Sequence, residues 1–139
     1  MKLSVKSDYA TRAVLSLARN FAQGRVTRVE EVAREHNLPA AYLVQILIEL
    51  KSKQLVKSVR GKEGGYLLAK APAKITFGDV LRAVHGVILD APALSDPNCP
   101  PEVRVAWLRL QQAADSAADS LDFQQLLDQG EEKQKMYYI

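Results

Sequence analysis

The stretch from Thr27 to Lys70 constrains the fold more than any other part of the chain. It opens on TRVEEVAREHN, where Thr27 and Glu30 match a capping box, a hydroxyl at the N-cap with a carboxylate three residues on. Asn37 suits a left-handed turn, and Pro39 suits the first position of a second helix, PAAYLVQILIELKSK, running to about residue 53. Two short β-prone runs follow, 55–60 and 66–71, joined by the glycine-rich turn GKEGG. Helix, short turn, helix and two-stranded ribbon is the order of a winged helix-turn-helix, a layout that reads duplex DNA. A helical hairpin beside a plain β-hairpin has the same spacings and is the structural alternative.

The second helix must pack on one side, and Leu43, Ile46, Leu47 and Leu50 supply it. Ala40, Ala41, Val44, Gln45, Ile48 and Glu49 lie opposite. In a major groove, Gln45 could pair with adenine, and Ala41 or Val44 could touch a thymine methyl. Ile48 is expected to be further core. In the ribbon, glycine backbone can approach sugar-phosphate while Arg60 and Lys62 supply cations. The turn is not a nucleotide-binding loop: it lacks G-x-x-x-x-G-K-[ST] and lies between strands.

Charge points the same way. Residues 1–70 hold 13 Lys/Arg against 6 Asp/Glu, and residues 71–139 hold 6 against 10, so only the front half is suited to a polyanion. A solvated, unevenly charged surface is the bland alternative. Lys2 and Lys6, near the start of the first helix, oppose its dipole but suit a phosphate. With 139 residues, 47% of them hydrophobic, the chain can bury a core. No apolar run of membrane-spanning length and no signal peptide is visible, and Cys99 is the only cysteine, so a cytoplasmic, reducing location is expected.

Around this module, residues 7–22 place Tyr9, Ala10, Ala13, Val14, Leu17, Ala18 and Phe21 on one helical face, stopped at Gly24. Thr76 to Asp79 caps a helix running to about Val84, with Phe77, Val80, Leu81 and Val84 inward. Residues 85–101 hold four of the six prolines and form a loop. Pro100-Pro101 then opens a long helix whose stripe is Val103, Trp107, Leu110, Ala114, Ala117 and Leu121. These largely small residues suit close approach of a second helix, hence a homodimer and twofold DNA sites, or packing back on the chain itself. A short helix over 121–128 and a polar tail with an aromatic end complete the chain. The expected fold is mainly α with a two-stranded β wing. Residues 1–72 would form the DNA-binding domain, 73–128 the effector loop and dimerisation helices, and 129–139 the tail.

The segments MKLSVKSDYATRAVLSLA, LPAAYLVQILIELKSKQLVKSVRG and GGYLLAKAPAKITFGDVLRAV resemble the Rrf-two family of bacterial winged-helix regulators, the IscR, NsrR and CymR type, from Met1 to about Asp128. The resemblance implies a homodimer crossed through the long C-terminal helices and binding partly palindromic operators. It implies control of iron–sulfur biogenesis, nitrosative or redox stress, or iron or cysteine metabolism. By position, Tyr42, Gln45, Arg60, Gly64, Gly65 and Tyr66 match the family's recognition helix and wing, and Arg28 falls in the same DNA-binding module. Ala41 and Val44 stand where IscR-like members carry a serine and a glutamate that read bases, which implies a less polar operator readout.

The sensor departs further. Cluster-binding members carry three cysteines in the loop before the dimer helix, and here Cys99 stands alone. Clusters take mostly thiolate ligands, so a cluster-free repressor under a small ligand or partner protein is expected. Two alternatives stay open: a mixed iron–sulfur site from Cys99 with His85, His36 or Asp8, and oxidation of Cys99. An enzyme is not expected, because His36 and His85 have no nucleophile–base or metal-ligand pattern around them. An interaction module without DNA binding is disfavoured by the basic front half.

Overall fold

The computed structural model describes residues 3–138, so Lys2 lies outside the described residues. The Ser4 hydroxyl accepts from the Ser7 amide (3.2 Å) and opens helix α1, Val5–Phe21. Ala10, Ala13, Val14, Leu17 and Ala18 are buried along its inner face. Three of these five are alanines, which lets other helices lie close against α1. Gly24, with φ +63°, carries the chain out of it.

Helices α2 (Val29–His36) and α3 (Ala40–Ser52) form the helix-turn-helix, with Asn37 at φ 54° in the turn between them. Leu43, Ile46, Leu47 and Leu50 of α3 are all buried as the spacing predicts. Each such side chain is worth about 1.5–3 kcal/mol relative to an exposed one. Strands β1 (Val56–Val59) and β2 (Gly65–Leu68) pair antiparallel, Val56 opposite Leu68 and Val59 opposite Gly65. A 3₁₀ turn, Pro72–Lys74, leads to α4 (Phe77–Val84), capped by Thr76 and Asp79 in reciprocal 3.0 Å hydrogen bonds. The loop from residue 85 holds a second 3₁₀ turn, Pro92–Ser95, and α5 spans Pro101–Asp119.

Helix α1 is the axis of the packing and touches α3, α4 and the last helix, α6 (Phe123–Tyr138). Ile75, Val80 and Phe123 are fully buried in the same core as Leu17 and Leu43. The amide of Phe123 donates to Ile75 O (3.1 Å) and that of Phe77 to Leu121 O (2.7 Å), which ties the start of α6 to the start of α4.

Three expectations are corrected. Thr27 does not cap α2; the N-cap is Arg28. Thr27 is instead bridged to Tyr66, its amide donating to Tyr66 O (3.0 Å) and its carbonyl accepting from Tyr66 N (2.8 Å). Its hydroxyl accepts from Asn20 Nδ2 (2.7 Å), so it is unavailable to the helix. Arginine has no acceptor, and only the return half of the box survives, Arg28 N to Glu31 Oε1 (3.4 Å). Ile48 is not core: 49% of its surface is exposed, on a side of α3 that no described element covers. The terminal helix does not stop near residue 128 but continues through the expected polar tail to Tyr138; Ile139 lies outside the described residues.

Candidate nucleic-acid interface

On α3 the buried stripe leaves Ala40, Ala41, Gln45 and Ile48 exposed, with Val44 half-buried. Tyr42 is partly exposed and meets Tyr9 of α1 edge-on, ring centroids 5.7 Å apart. Lys6 lies in the first turn of α1, and its Nζ donates to Glu49 Oε1 of α3 (2.6 Å). The cation expected at a phosphate is thus also tied to α3 by an ion pair.

The wing is held to the helices beside its turn and at its tip. Next to the turn, the Thr27–Tyr66 bridge adds a short third edge beside β2. Gly65 is required there: a Cβ would come within 2.5 Å of Thr27 O. At Gly64 a Cβ would meet Val59 O at 2.5 Å, so the turn closes only with glycine. Gly61 takes φ +110°, a region that side chains disfavour. Arg28 Nη2 donates to Lys62 O and secures the tip to the start of α2. A cleft of about 260 Å³ between them is lined by Arg28, Val29 and Glu30 from the start of α2 and by Gly61, Lys62, Gly64 and Gly65 from the wing. Lys51 Nζ donates to Ser58 Oγ (2.9 Å), joining α3 to β1. Arg60 and Lys62 are exposed.

The structure therefore brings Lys6, Ala41, Tyr42 and Gln45 to the α1–α3 side of the module. Arg28, Arg60, Lys62, Gly64, Gly65 and Tyr66 belong to the wing and its mount. Arg28 is oriented by the wing rather than turned freely outward, and Tyr66 is half-buried at the bridge.

Polar contacts that the spacing does not reveal support this unit. Arg25 donates to Glu31 (2.6 Å) and holds the Glu31 carboxyl below the usual carboxylate range, helped by the Arg28 amide. Buried Ser16 of α1 donates to Glu35 Oε2 (2.9 Å) and lies 2.8 Å from His36 Nε2. Burial, reinforced by the charges of Arg19 and Arg12, depresses the His36 pKa.

The expected dimer stripe on α5 is open. Val103, Trp107, Leu110, Ala117 and Leu121 are exposed, and Ala114 is half-buried. The other side of α5 organises the chain before it, Arg104 donating to Asp96 O (2.7 Å) and Gln111 to Leu89 O (3.0 Å). Cys99 is half-buried at the end of that loop, Sγ 3.6 Å from Pro100 O. His85 caps α4, His36 ends α2 beside Ser16, and Asp8 pairs with Arg12 in α1 (3.0 Å). Among the described residues of one chain, no three His, Cys, Asp or Glu side chains are grouped to hold a metal ion. No described helix is long and apolar enough to cross a membrane.

Residues 3–129 match the family model Rrf2, described as an iron-dependent transcriptional regulator. The chain is 35% identical over 141 residues to the HTH-type transcriptional regulator CymR of Bacillus subtilis, covering all of both chains. The solved structure of that protein, described as the global cysteine regulator of B. subtilis, superposes with a TM-score of 0.80 at 30% identity, covering 91% of this chain and 95% of that one. T. potens IscR superposes at 0.79 with 31% identity, covering 99% and 97%. The oxidized form of Staphylococcus aureus CymR superposes at 0.74 with 31% identity, covering 91% and 95%. The iron in the family's description finds a poor donor set here: one thiol per chain falls short of the mostly thiolate ligation that clusters use.

Proposed function

Because the chain belongs to the Rrf2 family of transcriptional regulators, we propose that it acts as a cytoplasmic homodimeric repressor without an iron–sulfur cluster. Two winged modules would lie on the half-sites of a partly palindromic DNA operator, each placing α3 in the major groove and its wing on the flanking backbone. The observation that carries this reading is the outward side of α3. It stays uncovered while the opposite side is fully buried, and it belongs to the half of the chain with the basic surplus. The open apolar stripe of α5 supports the homodimer, because contiguous exposed apolar surface of this kind marks an interaction face. The likeness to a cysteine regulator supports a signal from cysteine metabolism, delivered by a small molecule or a partner protein.

A second reading makes Cys99 a redox switch, favoured by the likeness to an S. aureus CymR solved in an oxidized form. A mixed site from Cys99 with His85, His36 or Asp8 is the cluster-bearing version of the same loop.

The test is selection from a randomised duplex library, followed by salt titration of the winning sequence and light scattering of the free protein. A dimer whose affinity falls steeply with salt is expected, since phosphate contacts release counterions. A monomer, or a protein that enriches no duplex, would overturn the proposal. Iron and sulfide assays on anaerobically purified protein decide between the cluster-free and cluster-bearing forms.

A further inference from the structure

We infer that Ile48 is a specificity-determining residue of the DNA interface, making an apolar contact to a thymine C5-methyl group. The inference rests on the proposed docking of α3 in the major groove and adds a named base contact to it.

Ala41, Gln45, Ile48 and Ser52 are spaced by four, three and four residues, so they fall on one line along α3. That line is directly opposite Leu43, Ile46, Leu47 and Leu50, each exposed by 1% or less. Ile48 is thus at the centre of the outward side, not at its margin, and half of its surface is uncovered. A β-branched aliphatic gains nothing for folding there and has little rotamer freedom to lose on contact. Lys51, one helical turn on from Ile48, is exposed and carries a cation beside it, so the surroundings suit a polyanion rather than an apolar protein surface.

The spacing also fits a groove. From Ala41 to Ile48 the helix rises about 10.5 Å at 1.5 Å per residue, close to three base-pair steps of about 3.4 Å. If Gln45 pairs with an adenine, Ile48 reaches a base one to two steps away. Thymine alone presents a methyl group in the major groove, and an isoleucine has no hydrogen bond to offer the other bases. An apolar side chain set against the amino group of cytosine or adenine would leave that donor unpaired, which adds discrimination.

The experiment is selection from a randomised duplex library with the parent protein and with Ile48→Ala. The parent is expected to enrich a thymine at one fixed step from its strongest adenine in each half-site. Ile48→Ala should lose that preference and bind the parent's best duplex roughly five- to tenfold more weakly, with unchanged affinity for random duplex. Replacing that thymine by uracil, which lacks the methyl, should weaken the parent by a similar factor and the variant little. Equal melting temperatures of the two proteins show that the loss is not unfolding. If the parent enriches a motif and Ile48→Ala enriches the same one with equal affinity, Ile48 has no such role, although α3 docking stands. If the parent enriches nothing, the docking itself is wrong.

Discussion

Arg82 and Asp119 form a two-pronged ion pair across the α4–α5 junction, with Nη1 to Oδ1 and Nη2 to Oδ2 both 2.8 Å. The pair holds the Asp119 carboxyl below its ordinary range, and Asp115 adds a longer contact at 3.4 Å. Gly78 makes room for it: a Cβ there would be 2.2 Å from Asp119 Oδ1. Gly78→Ala is therefore expected to push the Asp119 carboxylate away from Arg82, but the atoms in the way are the ends of flexible, part-exposed side chains and alanine favours the helix, so the net change in stability should stay within about 1 kcal/mol. Thermal unfolding of this variant beside Gly130→Ala, whose added Cβ has no neighbour within 4 Å, is the check.

His36 sets a pH dependence. Its folded pKa lies below the ordinary value because burial disfavours the cation, and the charges of Arg19 and Arg12 add to this. Glu35 Oε1, 3.8 Å away, is already engaged by Arg19 and does not offset the effect. The folded state thus binds its proton less readily than the unfolded state. The His36 contribution is complete above the unfolded value near pH 6.5 and declines as pH falls through the window below it. Urea unfolding at pH 7.5 and 5.5 should show a larger loss for the parent than for His36→Gln; equal losses would exclude the histidine.

Gln54 takes φ +63° just after α3, where its amide bonds Lys51 O and the Leu55 amide bonds Leu50 O, each at 3.0 Å. This is the Schellman exit that glycine favours. Gln54→Gly should stabilise the protein by roughly 0.5–1 kcal/mol, because the left-handed penalty of about 1–2 kcal/mol exceeds the added freedom of glycine. A melting temperature that falls instead would show that the glutamine has a compensating contact.

Gly65→Ala should unseat the wing. The new Cβ would collide with Thr27 O and lie 2.8 Å from Val26 Cγ1, prising apart the Thr27–Tyr66 bridge. Duplex affinity is expected to fall about tenfold or more, while the dimer proposed through α5 should be unaffected because the substitution is in the wing, read by fluorescence anisotropy and light scattering on the same sample.

Arg60→Ala should weaken binding to all duplexes alike. If Arg60 neutralises one phosphate, the slope of log affinity against log salt should become shallower by about 1. An unchanged slope and affinity would remove Arg60 from the interface.

Much of this was legible in local pattern. The four buried residues of α3 follow a 3.6-residue period, and Thr76 caps α4 because its partner Asp79 is three residues away. Asn37 was readable as a left-handed turn residue for the same short-range reason. Thr27 was misread because its hydrogen-bonding partner, Tyr66, is distant in sequence and reaches it only when the hairpin folds back. Ile48 was misread because an aliphatic residue carries no mark of whether another element will cover it. The Arg82–Asp119 pair and the Ser16–Glu35–His36 contacts left no sequence signal, since each joins side chains from separate helices.

By itself the amino-acid order determined the succession of helices and strands, the inward side of each, and the concentration of positive charge toward the front. These properties depend on neighbours within a turn or two. Tertiary structure alone decided which hydroxyl would cap, which outward aliphatic would stay bare, how far the last helix would run, and which charges would meet. Such outcomes depend on distant segments arriving at the same point, and that is settled only when the core around α1 closes.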